Sequence, residues 1–339
     1  MNSRDPDLLL QTAPFLRQGM TTPSAMLDVI IALVPATLAA VWYFGNSAVL
    51  VISATIAGAV LTEMAFVPRH KRRMILMDGS GLLTGLLLGL TLPPGLPMWM
   101  AFIGGAVAIG FGKIIWGGLG NNLFNPALVG RAFLLGTFPI AMTTWSMASE
   151  GFWTFRPTNF DFPFTYTEID GLTAASPLGL MKFDQETTPI MQLFFGNTSG
   201  SLGETSSLLL ILGGVYLYFR RDIDWRIPVS IVITVLIFSG ILYSIDPVVY
   251  PAPLFSLFSG GLMLGTIYMA TDPVTSPTTP LGTWIFGIGI GLLVILIRVF
   301  GGMPEGVLYS ILLMNAATPL IDRFTQPRIF GHQRRKKHE

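Results

Sequence analysis

Apolar stretches of membrane-crossing length recur along the chain, separated by short polar or basic interruptions. A helix needs about 20 apolar residues to cross the hydrocarbon core. Stretches of about that length run over 24–45, 47–67, 74–92, 97–116, 128–145, 206–219, 227–245, 254–271, 281–300 and 304–321. They predict about ten transmembrane helices and an all-α polytopic membrane protein. The 206–219 run is short and the 74–92 run is crowded with glycine. One interval breaks the rhythm. Residues 146–205 are polar, and a structureless connection of that length is uncommon unless it has a function.

The charges give this pattern a direction. With the N-terminus inside and the helices alternating, 17 of the 20 Lys and Arg fall on the cytoplasmic side. They include Arg4, Arg17, the RHKRR cluster at 69–73, Lys113, Arg131, Arg220, Arg221, Arg226 and the C-terminal tail. Arg156, Lys182 and Arg298 remain outside. That asymmetry is the positive-inside rule, and it predicts both termini inside and an outward-facing 146–205 interval. Glu63, Arg298 and Asp322 sit near predicted helix ends and read as snorkelling or orienting charges.

A weak repeat sharpens the fold. GLLTGLLLGLTLP (81–93) aligns without gaps to GLMLGTIYMATDP (261–273), matching at Gly81/Gly261, Leu82/Leu262, Gly85/Gly265, Thr91/Thr271 and Pro93/Pro273. The predicted topology runs these two segments in opposite directions. The expectation is two inverted five-helix halves, with paired Gly/Pro interruptions pointing to a central site. The organisation predicted is a cytoplasmic N-terminal arm (1–23), a first transmembrane half (24–145), an outer loop (146–205), a second half (206–322) and a basic cytoplasmic tail (323–339). The N-terminus lacks the basic–apolar–small order of a signal peptide and reads as a retained arm.

Composition agrees and narrows the chemistry. Half the residues are hydrophobic, only 12% are charged, and mean hydropathy is +0.63. A net charge of +1 gives no reason to expect a nucleic-acid partner. The absence of cysteine excludes thiolate metal sites and cluster ligation within the chain. Its three histidines, His70, His332 and His338, lie in basic segments, so no metal site is expected. Any electron handling must use an organic cofactor.

Three polar segments could carry chemistry. In DGLTAASPLG (170–179), Ser176 is placed to cap a short helix that Pro177 begins. A phosphate on its hydroxyl would face that helix's N–H groups. An ordinary capped loop helix explains the same residues. In GGLGNNLFNPALVGRAF (117–133), glycine and asparagine cluster beside a membrane helix, which calls for buried backbone or a cavity wall. Asn121 and Asn125 are its candidates, for a cofactor or ion pocket or a close-packed turn. MATDPVTSPTTPLG (269–282) offers Asp272 and Thr275, and MDGSG offers Asp78.

Six strings in order resemble one family. They are DGSGLLTGLLLGLTLPPGLP, GGLGNNLFNPALVG, DGLTAASPL, MATDPVTSP, IRVFGGMPEGVLYSILLMN and PLIDRFTQPRIFGH. The chain resembles the RnfD/NqrB family, membrane flavoprotein subunits of ion-translocating electron transport complexes, over essentially its whole length. It is short for the NqrB branch. The resemblance implies FMN joined through its phosphate to a hydroxyl in an Asp-Gly-x-Ser/Thr-x-Ala-Thr/Ser pattern. Here that makes Ser176 the attachment residue, with Asp170, Thr173 and Pro177 around it and Thr173 the alternative acceptor. Serine stands where the family usually has threonine.

The resemblance further implies an Rnf-type oxidoreductase subunit, not catalytic alone, that passes electrons between ferredoxin and NAD partners with Na+ or H+ movement. It implies partner subunits, a flavin transferase for maturation, and a multi-pass place in a bacterial cytoplasmic (inner) membrane with the flavin loop outside. It leaves room for a second, noncovalent flavin, riboflavin, near Asn121, Asn125, Asp272, Thr275 and Asp78. Three other readings stay open: an NqrB-like subunit of a Na+-pumping NADH:quinone oxidoreductase, a nonredox channel or transporter, and a scaffold without flavin.

Overall fold

The computed structural model describes residues 21–70, 72, 77–146, 155–163, 173–196, 198–204 and 206–327. Its helices follow the apolar stretches. α1 (Thr22–Phe44) opens on a capping box in which the Thr21 and Ser24 side chains satisfy the first free N–H groups. It stops at Gly45, whose φ of +66° lies outside the helical range and suits glycine. α2 (Asn46–Phe66) follows at once. α3 (Ser80–Leu90) and α4 (Met98–Ile109, continued by a wide turn over Gly110–Ile114) come next. α5 (Pro126–Thr137) and α6 (Pro139–Thr143) divide at Phe138 the stretch expected as one helix.

In the loop region lie α7 (Pro177–Gly179, continued over Leu180–Asp184) and α8 (Ile190–Phe195). The second half holds α9 (Ser207–Arg220), α10 (Arg226–Ile245), α11 (Pro253–Phe258), α12 (Leu262–Leu264, continued over Gly265–Met269), α13 (Pro280–Phe300) and α14 (Val307–Thr325). α11 and α12 replace a single expected helix, because Ser259, Gly260 and Gly261 interrupt it; Gly260 takes φ +65°. Among the described residues the only strands are an antiparallel pair of two residues each, β1 (Trp145–Ser146) and β2 (Thr173–Ala174), which closes the base of the loop.

The all-helical class is thus observed. α1, α2, α10 and α13 are long and apolar enough to cross a membrane, and α3, α4, α5 and α9 are shorter apolar helices. Small residues let backbones meet. A Cβ on Gly58 of α2 would lie 2.1 Å from the Phe102 carbonyl oxygen of α4, and one on Gly105 of α4 would lie 2.2 Å from that of Thr55. The second half repeats the device. Gly287 and Gly291 of α13 each face a carbonyl of α10, Ile227 and Ile231, at 3.0 Å.

The halves also pair their helices in the same order. α2 packs on α4 and α4 on α5; α10 packs on α13 and α13 on α14; α1 packs on α9. The two repeat segments run in opposite directions. A Cβ on Gly203 would touch both Leu90, at the end of α3, and Leu264, near the start of α12. Ser80 and Thr84, at the start of α3, instead share a cavity with Thr271 and Asp272, beyond the end of α12.

Candidate functional sites

The first site is the serine of the loop. β2 delivers the chain to Ala175, whose carbonyl accepts from the Ser199 hydroxyl at 2.7 Å. Ser176 then caps α7. Its Oγ accepts the Gly179 N–H at 3.1 Å, and Pro177 fills the first helical position, where no N–H is needed. Ser176 and Pro177 are both buried. The hydroxyl therefore sits among the free N–H groups of a helix start. A phosphoester there would take over the cap, since phosphate oxygens accept the same donors. Of the other loop candidates, Thr173 is placed by its backbone, opposite Ser146 in the strand pair. Asp170 lies outside the described residues.

α7 is held from below. Lys182 Nζ donates to the carbonyls of Arg298 at 2.9 Å, Met303 at 3.1 Å and Gly301. Burial pushes its ammonium below the usual lysine range. Met181 packs with Leu193 and Phe255.

The second site is a cavity of about 100 Å³ between the halves. Asn125 caps α5, accepting from the Ala127 N–H at 3.0 Å, and donates to the Met269 carbonyl at 3.2 Å. It and Asp272 both line the cavity. Asp272 accepts from the Val274 N–H and, at 3.4 Å, from the Thr275 hydroxyl, so Thr275 stands behind it. Asp78 likewise stands behind Ser80, accepting from its N–H at 2.9 Å and its hydroxyl at 2.6 Å. Asn121 is exposed and lies off this wall; its neighbour Asn122 is the buried wall residue, and its Oδ1 has no partner among the described residues.

Lys113, Ser80, Tyr268 and Asp222 also line this wall, and the sequence pattern does not single them out for it. The charge count assigns Lys113 to the cytoplasmic side and says nothing of its burial. It is buried, donating to Ser80 Oγ at 2.5 Å and paired with Glu63 of α2. Glu63 is buried too, so it is no snorkelling charge. The signal that could have found the pair is a lysine following an apolar run, which calls for a named partner. Asp222, in the α9–α10 connection, has its carboxyl pushed up by burial and by the nearby Asp28.

A third constellation joins the halves. Arg131 of α5, which the charge count also assigns to the cytoplasmic side, is buried and paired with Glu305 from the α13–α14 connection. A Cβ on Gly261, at the α11–α12 break, would lie 2.9 Å from Glu305 Oε1, 3.5 Å from Glu204 Oε1 and 3.8 Å from Arg131 Nη1. Arg298 does not snorkel either. It is buried, and its guanidinium donates to the carbonyls of Ser259 at 2.9 Å and Ser256 at 2.5 Å. Asp322 does sit at a helix end, accepting from the exposed Thr278 N–H at 3.1 Å. Burying so many charges without partners would be costly, and the pairings and carbonyl contacts offset that cost.

Comparison with known proteins sets these sites in a family. A family model described as the NQR2, RnfD, RnfE family matches residues 9–331. The chain is 42% identical over 335 residues to a subunit of the proton-translocating ferredoxin:NAD(+) oxidoreductase complex of Clostridium ljungdahlii, covering 96% of each. It is 39% identical over 335 residues to a subunit of the Na(+)-translocating ferredoxin:NAD(+) oxidoreductase complex of Acetobacterium woodii, covering 98% of each. Over 349 residues it is 39% identical to a subunit of the ion-translocating oxidoreductase complex of Yersinia enterocolitica, covering 97% of this chain and 99% of the relative.

Proposed function

This chain belongs to the NQR2, RnfD, RnfE family, and on that premise we propose that it is the RnfD-type subunit of an ion-translocating oxidoreductase complex, carrying FMN as a phosphoester on Ser176. The relatives' names favour an Rnf complex, with ferredoxin and NAD as the redox partners of the assembly, over a quinone-reducing pump. One relative is named for protons and another for Na+ at similar identity, so likeness does not select the ion.

The observation that carries the flavin reading is Ser176 itself. It stands at the acceptor position of the Asp-Gly-Leu-Thr-Ala-Ala-Ser run, and its Oγ already occupies the anion-binding start of α7. The Gly179 N–H and the helix start would hold the phosphate, and Lys182 and Met181 anchor the helix that presents it. When bound, the flavin supplies electron transfer in single steps; the protein supplies position and electrostatics. A flavin transferase must load it.

The cavity walled by Asn122, Asn125, Asp272, Ser80 and Lys113 is the proposed second site. The Asn122 Oδ1, without a partner among the described residues, suits the N–H edge of a flavin ring such as riboflavin, or a cation. At about 100 Å³ it would have to open to take three fused rings. In the membrane we place about ten crossings, both termini inside and the Ser176 loop outside, following the charge asymmetry. A bacterial inner membrane is the setting this implies.

The test is flavin fluorescence of the denatured chain on a gel after co-expression with a flavin transferase, beside Ser176→Ala. A band lost in the variant supports the reading. A band kept in the variant moves the attachment to Thr173 or elsewhere. No band in either lane, with the transferase proven on a control, favours a nonredox transporter.

A further inference from the structure

This inference rests on Ser176 as the flavin attachment residue and concerns how its helix is held. α7 is fastened at two points, and both lead to the same place. Lys182 donates all its hydrogen bonds to carbonyls at and just beyond the C-terminal end of α13, where unpaired carbonyls and the helix dipole favour a cation. Leu178, one turn earlier, fills a notch over Gly260. A Cβ on Gly260 would lie 2.6 Å from Leu178 Cδ1. Gly260 is the break between α11 and α12, held at φ +65°.

Arg298 joins the two anchors. Its backbone carbonyl receives Lys182, and its guanidinium ties the Ser256 and Ser259 carbonyls at the end of α11. The next residue along the break is Gly261, against which Glu305, Glu204 and Arg131 converge. A continuous set of contacts therefore runs from the helix capped by Ser176, through the break, to the buried Arg131 and the half-buried Glu204 and Glu305.

We infer that Lys182 and Leu178 are positioning residues that hold the flavin-bearing helix on the α11–α12 break, so that the tethered flavin and the Glu204–Glu305–Arg131 cluster ride on one element. A shift of the break, as when a carboxylate changes partner, then moves α7 and whatever Ser176 carries. Discontinuous helices near the centre of inverted halves are where transporters place their moving ion sites. The contact set gives this chain a direct link between such a break and its redox group.

The experiment uses the assembled complex with Lys182→Met, Lys182→Arg and Leu178→Ala. Three readouts are taken: gel fluorescence of the denatured chain, fluorescence anisotropy of the tethered flavin in the native complex, and amide hydrogen exchange over 177–184. The expected result is an intact fluorescent band throughout, lower anisotropy in Lys182→Met and Leu178→Ala, and recovery in Lys182→Arg. Exchange over 177–184 rises about tenfold, the scale expected when charge-assisted contacts that close a local opening are lost. A lysine that merely caps α13 would lower stability and leave the flavin's anisotropy unchanged. Unchanged anisotropy and exchange in both neutral variants, with the band intact, overturns the inference. Absence of the band in the parent removes the Ser176 reading instead.

Discussion

Removing the Lys113 charge alone should damage the protein far more than removing it together with its partner. Lys113 and Glu63 are paired, with their side chains only 5% and 4% exposed. In Lys113→Met the Glu63 carboxylate stays behind. It has little room to retreat, because a Cβ on Gly81 would already lie 2.3 Å from its Oε2. Breaking a buried pair from one side costs about 3–5 kcal/mol. Losing the Lys113 contact to the Ser80 hydroxyl adds to that. A loss of this size is a large share of the roughly 5–15 kcal/mol that holds a domain folded. Lys113→Met/Glu63→Gln removes both charges and should recover most of the loss. The assay is thermal and denaturant unfolding in detergent micelles, arranged as a double-mutant cycle with Glu63→Gln. A single variant within about 1 kcal/mol of the parent, or a double variant no better than Lys113→Met, would refute the reasoning.

Other outcomes follow from the same geometry. Gly58→Ala drives a methyl to within 2.1 Å of the Phe102 carbonyl oxygen, so α2 and α4 must part; a loss of about 1–3 kcal/mol or more in micelle unfolding checks it. Asp222 has a raised folded-state pKa, so its contribution to stability is present below the ordinary carboxylate range and is lost as pH rises through the raised value. Asp222→Asn should therefore flatten the stability–pH profile over that window, and an unchanged slope would count against a half-buried, acid-facing Asp222. Ser176→Thr, which keeps a hydroxyl at the proposed attachment position, should keep the gel fluorescence that Ser176→Ala is expected to abolish.

Much of the fold is legible because a membrane helix writes itself locally. The apolar runs at 24–45, 47–67, 227–245 and 281–300 become α1, α2, α10 and α13 with small changes at their ends. The match between 81–93 and 261–273 is legible as paired glycines, and in the structure Leu90 of one segment and Leu264 of the other both lie against Gly203. The cap at Ser176 is legible because Ser-Pro at a helix start satisfies a local need. What escapes is non-local. Glu63 meets Lys113, and Arg131 meets Glu305, across separations of 50 and 174 residues. Single charges beside apolar runs look like topology signals because the rule that places them counts loops and cannot see partners. Asn121 and Asn122 are indistinguishable in sequence, because a turn with successive positive φ at Gly117, Gly118 and Gly120 has no periodicity to say which amide points inward. The break at Ser259–Gly261 is hidden for a related reason: Gly-Gly inside an apolar run reads equally as close packing.

The central claim is a covalent flavin on one hydroxyl. The most direct measurement is mass spectrometry of the proteolytic peptide containing Ser176, from chain matured with a flavin transferase. The account predicts that peptide heavier by FMN less one water, with fragmentation placing the added mass on Ser176. The unmodified peptide at full abundance, or the added mass on Thr173, would contradict it.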